Sequence, residues 1–378
     1  MTLPLDSVLW PCLMKKNFSK KKPGCRPFIV PVFLPHLGCP HQCAFCNQTA
    51  ITSTKSGENS FENLYRQIEK FLNYSGKKRN PVQIAFYGGN FLGLKNDLII
   101  YLLQEATKFV KKGSVDGIRF STRPDTIDRK KLDILKQFPV RTIEIGVQSM
   151  DDHVLALSKR GHTSLDTERS VRLLKERNYE IGMQMMVGLP GDNASKALST
   201  GRRIADLSPD FVRIYPAVVL EKSLLAQWYK QGEYIPLPLE ECITLVKNLY
   251  ILFSKKEIPV IRMGLQASDN LEKKSTILAG PYHPAFGHLV YSEIFLDMAI
   301  SIIESGLESN KIPPNKSSPN KNSIDTITIK VHPRSISKMR GLKNKNIKKL
   351  KEKFNIKYLK IIPDTTIEDG KINMGSSF

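Results

Sequence analysis

The sequence predicts an α/β fold: a partial (β/α)6-type barrel followed by a small basic α+β unit at the C-terminal end. Three observations carry this. Apolar runs near 28–35, 82–87, 117–122, 141–147, 180–187, 211–216 and 258–265 alternate with helical patterns near 60–74, 96–111, 127–137, 164–177, 194–206 and 238–255. The strand-like runs show little strict alternation, as expected of strands covered on both faces. A Pro/Ser/Asn-rich stretch then separates a short strand–helix–strand pattern. Alternating β and α implies parallel pairing with helical crossovers. A doubly wound open sheet is the alternative, and both place the functional face at the C-terminal strand ends.

In chain order, residues 1–27 read as a basic arm, 28–305 as the barrel, 306–325 as a linker and 326–378 as the small unit. The 164–177 segment shows a helical rhythm, with Leu165, Val171, Leu173 and Leu174 on one side. Asp97, Asp128 and Ser164 are expected as caps or first-turn residues. A further helix is expected near 286–305. In the small unit, strands over 326–331 and 357–362 should flank a helix over 346–354.

With 41% hydrophobic and 25% charged residues over 378 positions, the composition is that of an ordinary soluble protein. No run approaches the roughly 20 apolar residues of a membrane span, so no membrane partner is expected. The early apolar piece precedes its lysines, the reverse of a secretory leader, which points to a cytoplasmic setting. The net charge of +21 favours polyanionic partners. It is uneven: residues 311–378 hold 16 Lys and Arg against 5 Asp and Glu.

Of six cysteines, Cys39, Cys43 and Cys46 crowd into a CxxxCxxC loop directly after the first strand, while Cys12, Cys25 and Cys242 are scattered and expected to be free thiols. This is a metal-binding pattern rather than a disulfide framework. Closed zinc and ferredoxin-type sites use four protein ligands, so three cysteines leave one position open. His41 is a conceivable fourth ligand, disfavoured by the rigid Cys-Pro-His sequence. Other strand ends carry Tyr87-Gly88-Gly89-Asn90, Ser121-Thr122-Arg123-Pro124-Asp125, Glu144-Ile145-Gly146-Val147-Gln148-Ser149 and Gly188-Leu189-Pro190-Gly191-Asp192. Their glycines permit close backbone approach to a ligand, and Arg123 and Gln148 are polar groups aimed at a pocket.

These motifs, in this order over roughly 28–300, resemble the radical SAM enzymes. The resemblance implies that Cys39, Cys43 and Cys46 hold three irons of a [4Fe–4S] cluster. The fourth iron would be chelated by S-adenosylmethionine, whose reductive cleavage yields a 5′-deoxyadenosyl radical. It further implies that Phe45 packs near the adenine and that Gly88-Gly89 receives the methionine amino group. Asn90, where many members have Glu, would contribute a backbone carbonyl or its amide. Gln148 and Arg160 would face the methionine carboxylate or ribose, Arg123 is expected among the cofactor-binding residues, and Gly188 would begin the loop lining the adenine pocket. A flavodoxin- or ferredoxin-type electron donor is implied as a partner.

Within the superfamily, the runs STRPD, EIGVQS and MMVGLPGD look most like the group containing the Elongator catalytic subunit, a tRNA wobble-uridine modifier, and its stand-alone bacterial relatives. The oxygen-independent coproporphyrinogen oxidases are near neighbours. The first cysteine gap is shorter than the Elongator type, and residues 306–378 are too few for that group's acetyltransferase domain.

The small unit admits two readings. Arg340, Gly341, Lys343, Asn344, Lys345 and Lys348 surround a turn before a helix, similar to the GxxG loop with which KH modules clamp single-stranded nucleic acid. Asn344 would tolerate the left-handed backbone usually supplied by a second Gly. Alternatively, the helix is a solvated basic cap on the barrel. His283 and His288 lie in an aromatic, Gly-rich loop and are expected to be structural or substrate-facing. The leading functional expectation is radical chemistry on RNA, in particular tRNA. The rivals are radical chemistry on an anionic small molecule such as a tetrapyrrole, and a non-enzymatic RNA-binding protein with a structural cluster.

Overall fold

A computed structural model describes residues 27–48, 64–73, 81–266, 271, 276–309 and 324–375. Cys12, Cys25, the basic arm and most of the expected linker lie outside them. The chain divides into two compact units, the second beginning at Ala285 apart from the short segment Ile243–Lys247.

The larger unit carries strands β1 (Phe28–Phe33), β2 (Val82–Tyr87), β3 (Gly117–Thr122), β4 (Val140–Gln148), β5 (Glu180–Val187), β6 (Phe211–Pro216), β7 (Val219–Leu220), β8 (Val260–Met263) and β9 (Ile277–Ala279). Its helices are α1 (Leu64–Leu72), α2 (Asn96–Lys111), α3 (Arg129–Leu135), α4 (Asp152–Leu157), α5 (Ser164–Glu176), α6 (Ala194–Asp206) and α7 (Leu224–Gln231), with α8 (Leu239–Lys255) running on from it.

Seven strands form one sheet in the order β1-β2-β3-β4-β5-β6-β8, and every neighbouring pair is parallel. Strictly sequential order has no reversal point, which removes the doubly wound alternative. The sheet is curled into a half-barrel, since side chains from β1 through β8 line one shared cavity. On its covered side Phe86, Phe91 and Phe120 stack with centroids 5.0 and 4.4 Å apart. β7 and β9 pair separately and antiparallel.

Local chemistry sets the helix ends. Asp128 caps α3 by accepting from the Lys131 amide at 2.8 Å. The cap of α5 is Thr163, in a capping box with Asp166, rather than Ser164, which is the first helical residue. Leu165, in that first turn, is 68% exposed rather than part of the apolar face, while Val171, Leu173 and Leu174 are buried.

The second unit is built on α9 (Phe286–Glu308), followed by β10 (Ile324–Val331), α10 (Ile336–Arg340), α11 (Lys345–Phe354), β11 (Ile356–Pro363) and β12 (Ile372–Met374). β10 is central, parallel to β11 and antiparallel to β12. Phe295, Leu296, Ala299 and Ile303 of α9 share one core with Ile327, Ile329, Met339 and Leu350. The sequence reading leaves α9 with the barrel; its apolar face packs on this small sheet instead. α9 is long and apolar enough to cross a membrane. Its acids pair with lysines of the same unit, Glu293 with Lys349 at 3.3 Å and Glu304 with Lys353 at 2.8 Å, which marks it as a core helix.

Candidate functional site

The cysteine loop leaves β1 at the C-terminal edge of the sheet and is held there by backbone interlocking. Gly38 (φ +72°) and Gly89 (φ +58°) both need the left-handed region. A Cβ on Gly38 would come within 2.2 Å of the Asn90 carbonyl oxygen, and one on Gly89 within 2.3 Å of that of Leu37. The loop is also tied elsewhere: the Ala44 amide donates to the Ser158 carbonyl at 3.0 Å, and the Gln48 side-chain oxygen accepts from the Gly89 amide at 2.7 Å.

A cavity of about 900 Å³ opens under this loop. Cys39, Cys43, Cys46, Phe45, Gly88, Gly89, Arg123, Gln148 and Arg160 all line it, so nine of the eleven expected cluster and cofactor residues meet in one place. The remaining two do not line it. Asn90 is 1% exposed, and its side chain is consumed by the scaffold: Nδ2 donates to the Gly38 carbonyl at 2.9 Å, while Oδ1 accepts from Thr122 Oγ1 at 2.7 Å, the Arg123 amide at 3.0 Å and Thr126 Oγ1 at 2.9 Å. The amide contact expected of Asn90 is thus closed; it is a brace between two strand-end loops. Gly188 sits behind the wall, with its amide donating to Asp192 and its carbonyl accepting from the Tyr234 hydroxyl at 2.6 Å. Asn90→Ala strands four hydrogen-bonding groups, and we expect a loss of about 1–3 kcal/mol, read as a lower urea midpoint.

The donor set fits a multi-iron cluster. Among the described residues no three Cys, His, Asp or Glu side chains gather tightly enough for a single ion. Yet the three thiols share the wall and feel one another's charge. Burial, then Cys43 and Cys39, pushes the Cys46 thiol up to about 12, and burial and Cys43 raise Cys39. A cluster takes one thiolate per iron, whereas zinc draws its sulfurs to about 2.3 Å from one centre. Iron would also supply the positive charge that deprotonates these thiols. His41 lines the same cavity, but its ring lies against Gly161, and its Nε2 is taken up by the Arg160 carbonyl oxygen at 3.1 Å.

Beside the cysteines is a polar cradle with unused capacity. Arg160 Nη1 lies 3.2 Å from Cys43 Sγ and its Nη2 donates to the Gly146 carbonyl, which leaves Nε unpaired. Arg123 grips Asp125 through two nitrogens at 2.9 and 3.0 Å, and its Nη1 is unpaired. Gln148, held at φ +67°, has an unpaired Oε1. Buried donors and an acceptor left open around one cavity suit a ligand bearing both a carboxylate and an ammonium. On the other side Phe45, Met186, Pro216, Val218 and Leu220 form an apolar wall suited to a flat ring.

Sequence reasoning missed the polar floor of this cavity. Fully buried Glu144 accepts from Tyr87 Oη and Arg213 Nε, each at 2.8 Å, and from Gln184 Nε2 at 3.0 Å, with Arg119 Nη1 3.7 Å away. The signal available was a carboxylate inside an apolar strand. Buried His162 is held down to about 3 by burial and by Arg160 and Arg123, and its Nε2 donates to the Val147 carbonyl. His283 and His288 do not line the cavity. Cys242 is a buried free thiol raised to about 12 by burial.

In the small unit, the loop from Gly341 to Asn344 connects α10 to α11. Gly341 (φ +70°), Lys343 (φ +52°) and Asn344 (φ +60°) all adopt positive φ. Arg340, Lys343, Lys345 and Lys348 are exposed, and among the described residues they form no ion pair, whereas Lys349 and Lys353 are paired to α9.

Comparisons with known proteins agree with this geometry. Residues 33–204 match the radical SAM superfamily model and 209–295 match the radical SAM C-terminal domain model. A tRNA uridine(34) acetyltransferase of Dehalococcoides mccartyi is 26% identical over 68% of this chain and 64% of that protein. Its namesake in Methanocaldococcus infernus is 32% identical over 48% of this chain and 37% of that protein. The chain therefore spans less than two thirds of either relative. The solved structure of the archaeal M. infernus Elp3 superposes with a TM-score of 0.56 at 21% identity, covering 71% of this chain and 62% of that one, a likeness of fold.

Proposed function

The chain belongs to the radical SAM superfamily, and we propose from that premise that it is a tRNA-modifying enzyme whose cavity holds a [4Fe–4S] cluster and S-adenosylmethionine. The observation that carries the cofactor reading is three cysteines on one cavity wall beside unpaired buried atoms of Arg123, Gln148 and Arg160. Cys39, Cys43 and Cys46 hold the cluster. When bound, the pair supplies a low-potential electron and a cleavable sulfonium C–S bond for hydrogen abstraction. The chain's own groups bind and orient. Gly88 and Gly89 leave the backbone bare for the methionine ammonium, Gln148 and the two arginines take its polar end, and Phe45 covers the adenine. A reducing cytoplasmic setting and a flavodoxin- or ferredoxin-type donor complete the proposal.

RNA as the target is supported by the names of the relatives and by the basic loop of the small unit. Arg340, Lys343, Lys345 and Lys348 contact phosphates, with Gly341 and Asn344 letting the backbone approach them. Four such contacts predict a slope of log affinity against log salt of about −3 on single-stranded RNA. Changing Lys343, Lys345 and Lys348 to Gln should bring that slope to about −1, measured by filter binding of a tRNA transcript. An unaltered slope removes these residues from the interface. Mass spectrometry of tRNA nucleosides from a deletion strain then tests the target, an unchanged profile favouring a small-molecule substrate.

A further inference from the structure

Below the cysteine loop the cavity continues into the concave side of the curled sheet, where polar side chains of adjacent strands stand side by side. Gln184 of β5 is opposite Arg213 of β6, and Arg213 is opposite Arg262 of β8. All three line the cavity, as does Glu144. Glu144 is saturated: Arg213, Arg119, Tyr87 and Gln184 converge on its two oxygens. Arg262 has no such partner. Among the described residues it forms no ion pair, and the group beside it is the phenol of Tyr215, whose own ionisation burial disfavours. Glu144 is thus already shared between Arg213 and buried Arg119, and Arg262, next to Arg213 on the cavity wall, adds a positive charge that no carboxylate balances, where charges are weakly screened.

We propose that Arg262, with Arg213 oriented by Glu144, forms an oxyanion subsite for the terminal carboxylate or phosphate monoester of a small molecule bound in the sheet's lumen. Guanidinium forks match both anions bidentately. Depth separates a small molecule from RNA. Gln184 and Arg213 lie three residues inside the ends of β5 and β6, roughly 10 Å below the rim on that side at about 3.3 Å per residue, and Arg262, level with Arg213 in register, lies one residue inside the end of the shorter β8. A splayed nucleotide can place its base there, but its bridging phosphates stay with the polymer at the rim; an anion reaching the girdle formed by Gln184, Arg213 and Arg262 from the β5–β6 side is chain-terminal. The inference rests on reading the cavity as the reaction chamber, and it names the ligand class: the substrate itself, or a small second substrate used alongside RNA.

Ligand-observed NMR titration of the full reconstituted chain at low ionic strength tests this without turnover, with propionate and methyl phosphate as probes. Saturable millimolar binding of at least one probe is expected, and the probe that binds more tightly tells carboxylate from phosphate. Arg262→Gln should weaken that binding about tenfold or more. Arg262→Lys, which keeps the charge but loses the fork, should fall in between, and Lys175→Gln on the outer helix α5 should change nothing. Wild-type binding of neither probe, or undiminished binding by a folded Arg262→Gln chain, overturns the proposal. Displacement of the probe by uridylyl-(3′,5′)-uridine, a diester, in an Arg262-dependent way would assign the girdle to RNA and equally overturn it. Loss of S-adenosylmethionine cleavage with probe binding intact would count against the cofactor reading alone.

Discussion

Cys43→Ala protein, reconstituted anaerobically with iron and sulfide, will fold but retain less than about one of the four irons of a [4Fe–4S] cluster per chain, and its 5′-deoxyadenosine production will fall to background. Cys43 is the buried member of the triad, 7% exposed, and the one touched by Arg160. Removing its sulfur leaves two thiolates for a cluster that already depends on a non-protein ligand for its fourth iron. The fold survives because the loop's anchors are not the thiols: they are the Ala44 amide, the Ala44 carbonyl and the Gln48 side chain, which accepts from the Gly89 amide. Cys242→Ala is the contrast, a buried thiol away from the cavity, and should leave iron content and product unchanged. Iron and sulfide analysis with chromatographic detection of 5′-deoxyadenosine decides the matter. A Cys43→Ala chain that keeps wild-type iron and turnover would falsify the cluster assignment.

How much of this is legible in the sequence depends on whether a feature is local. The strands over 82–87 and 117–122 coincide with the expected runs, because short Ile/Phe-rich segments bounded by Gly or Pro have few other places to go. The cysteine loop is equally local. The start of α5 falls at Ser164, where the expected helix begins, but Thr163 and Ser164 are both good caps, and only the reciprocal bond with Asp166 shows that Thr163 is the cap and Ser164 the first-turn residue. Leu165 fits the apolar period on paper, but the first turn of that helix projects it into solvent. The short β7, β9 and β12 owe their existence to a partner strand and carry little signal of their own. Asn90, Glu144 and Arg262 are the instructive cases. Each is one polar residue in an apolar neighbourhood, and its role comes from partners such as Thr122, Tyr87 and Arg213, 32 to 69 residues away, that the fold alone brings alongside. A motif comparison assigns Asn90 to the ligand because the family's residue at that place faces it. The bonds to Thr122, Arg123 and Thr126 show the amide occupied.

Glu144→Gln is the substitution with the largest expected effect on stability. Gln preserves the shape and much of the hydrogen bonding but leaves Arg119 and Arg213 facing each other without a carboxylate. Breaking a buried ion pair from one side costs about 3–5 kcal/mol, or roughly 10 °C in thermal midpoint for a unit of this size. Its pH dependence identifies the cause. Burial alone would raise the Glu144 pKa, but Arg213 and Arg119, with hydrogen bonds from Arg213 and Tyr87, hold it below its ordinary 4.5. A carboxylate depressed in the folded state contributes stability above its unfolded pKa and loses it as pH falls through the folded one. The difference between wild type and variant should therefore be flat at neutral pH and narrow below about pH 4.5. A gap under about 1 kcal/mol at pH 7, or one that does not narrow in acid, would show that the cluster contributes little through charge. The combined change Glu144→Leu with Arg213→Met and Arg119→Met then separates stability from use. Apolar replacement of a buried ionic group together with its partners is often neutral or stabilising, so the combined variant should recover much of the lost midpoint. If the charges are kept for the lumen and not for the fold, that same recovered protein should no longer bind the oxyanion probes at Arg262.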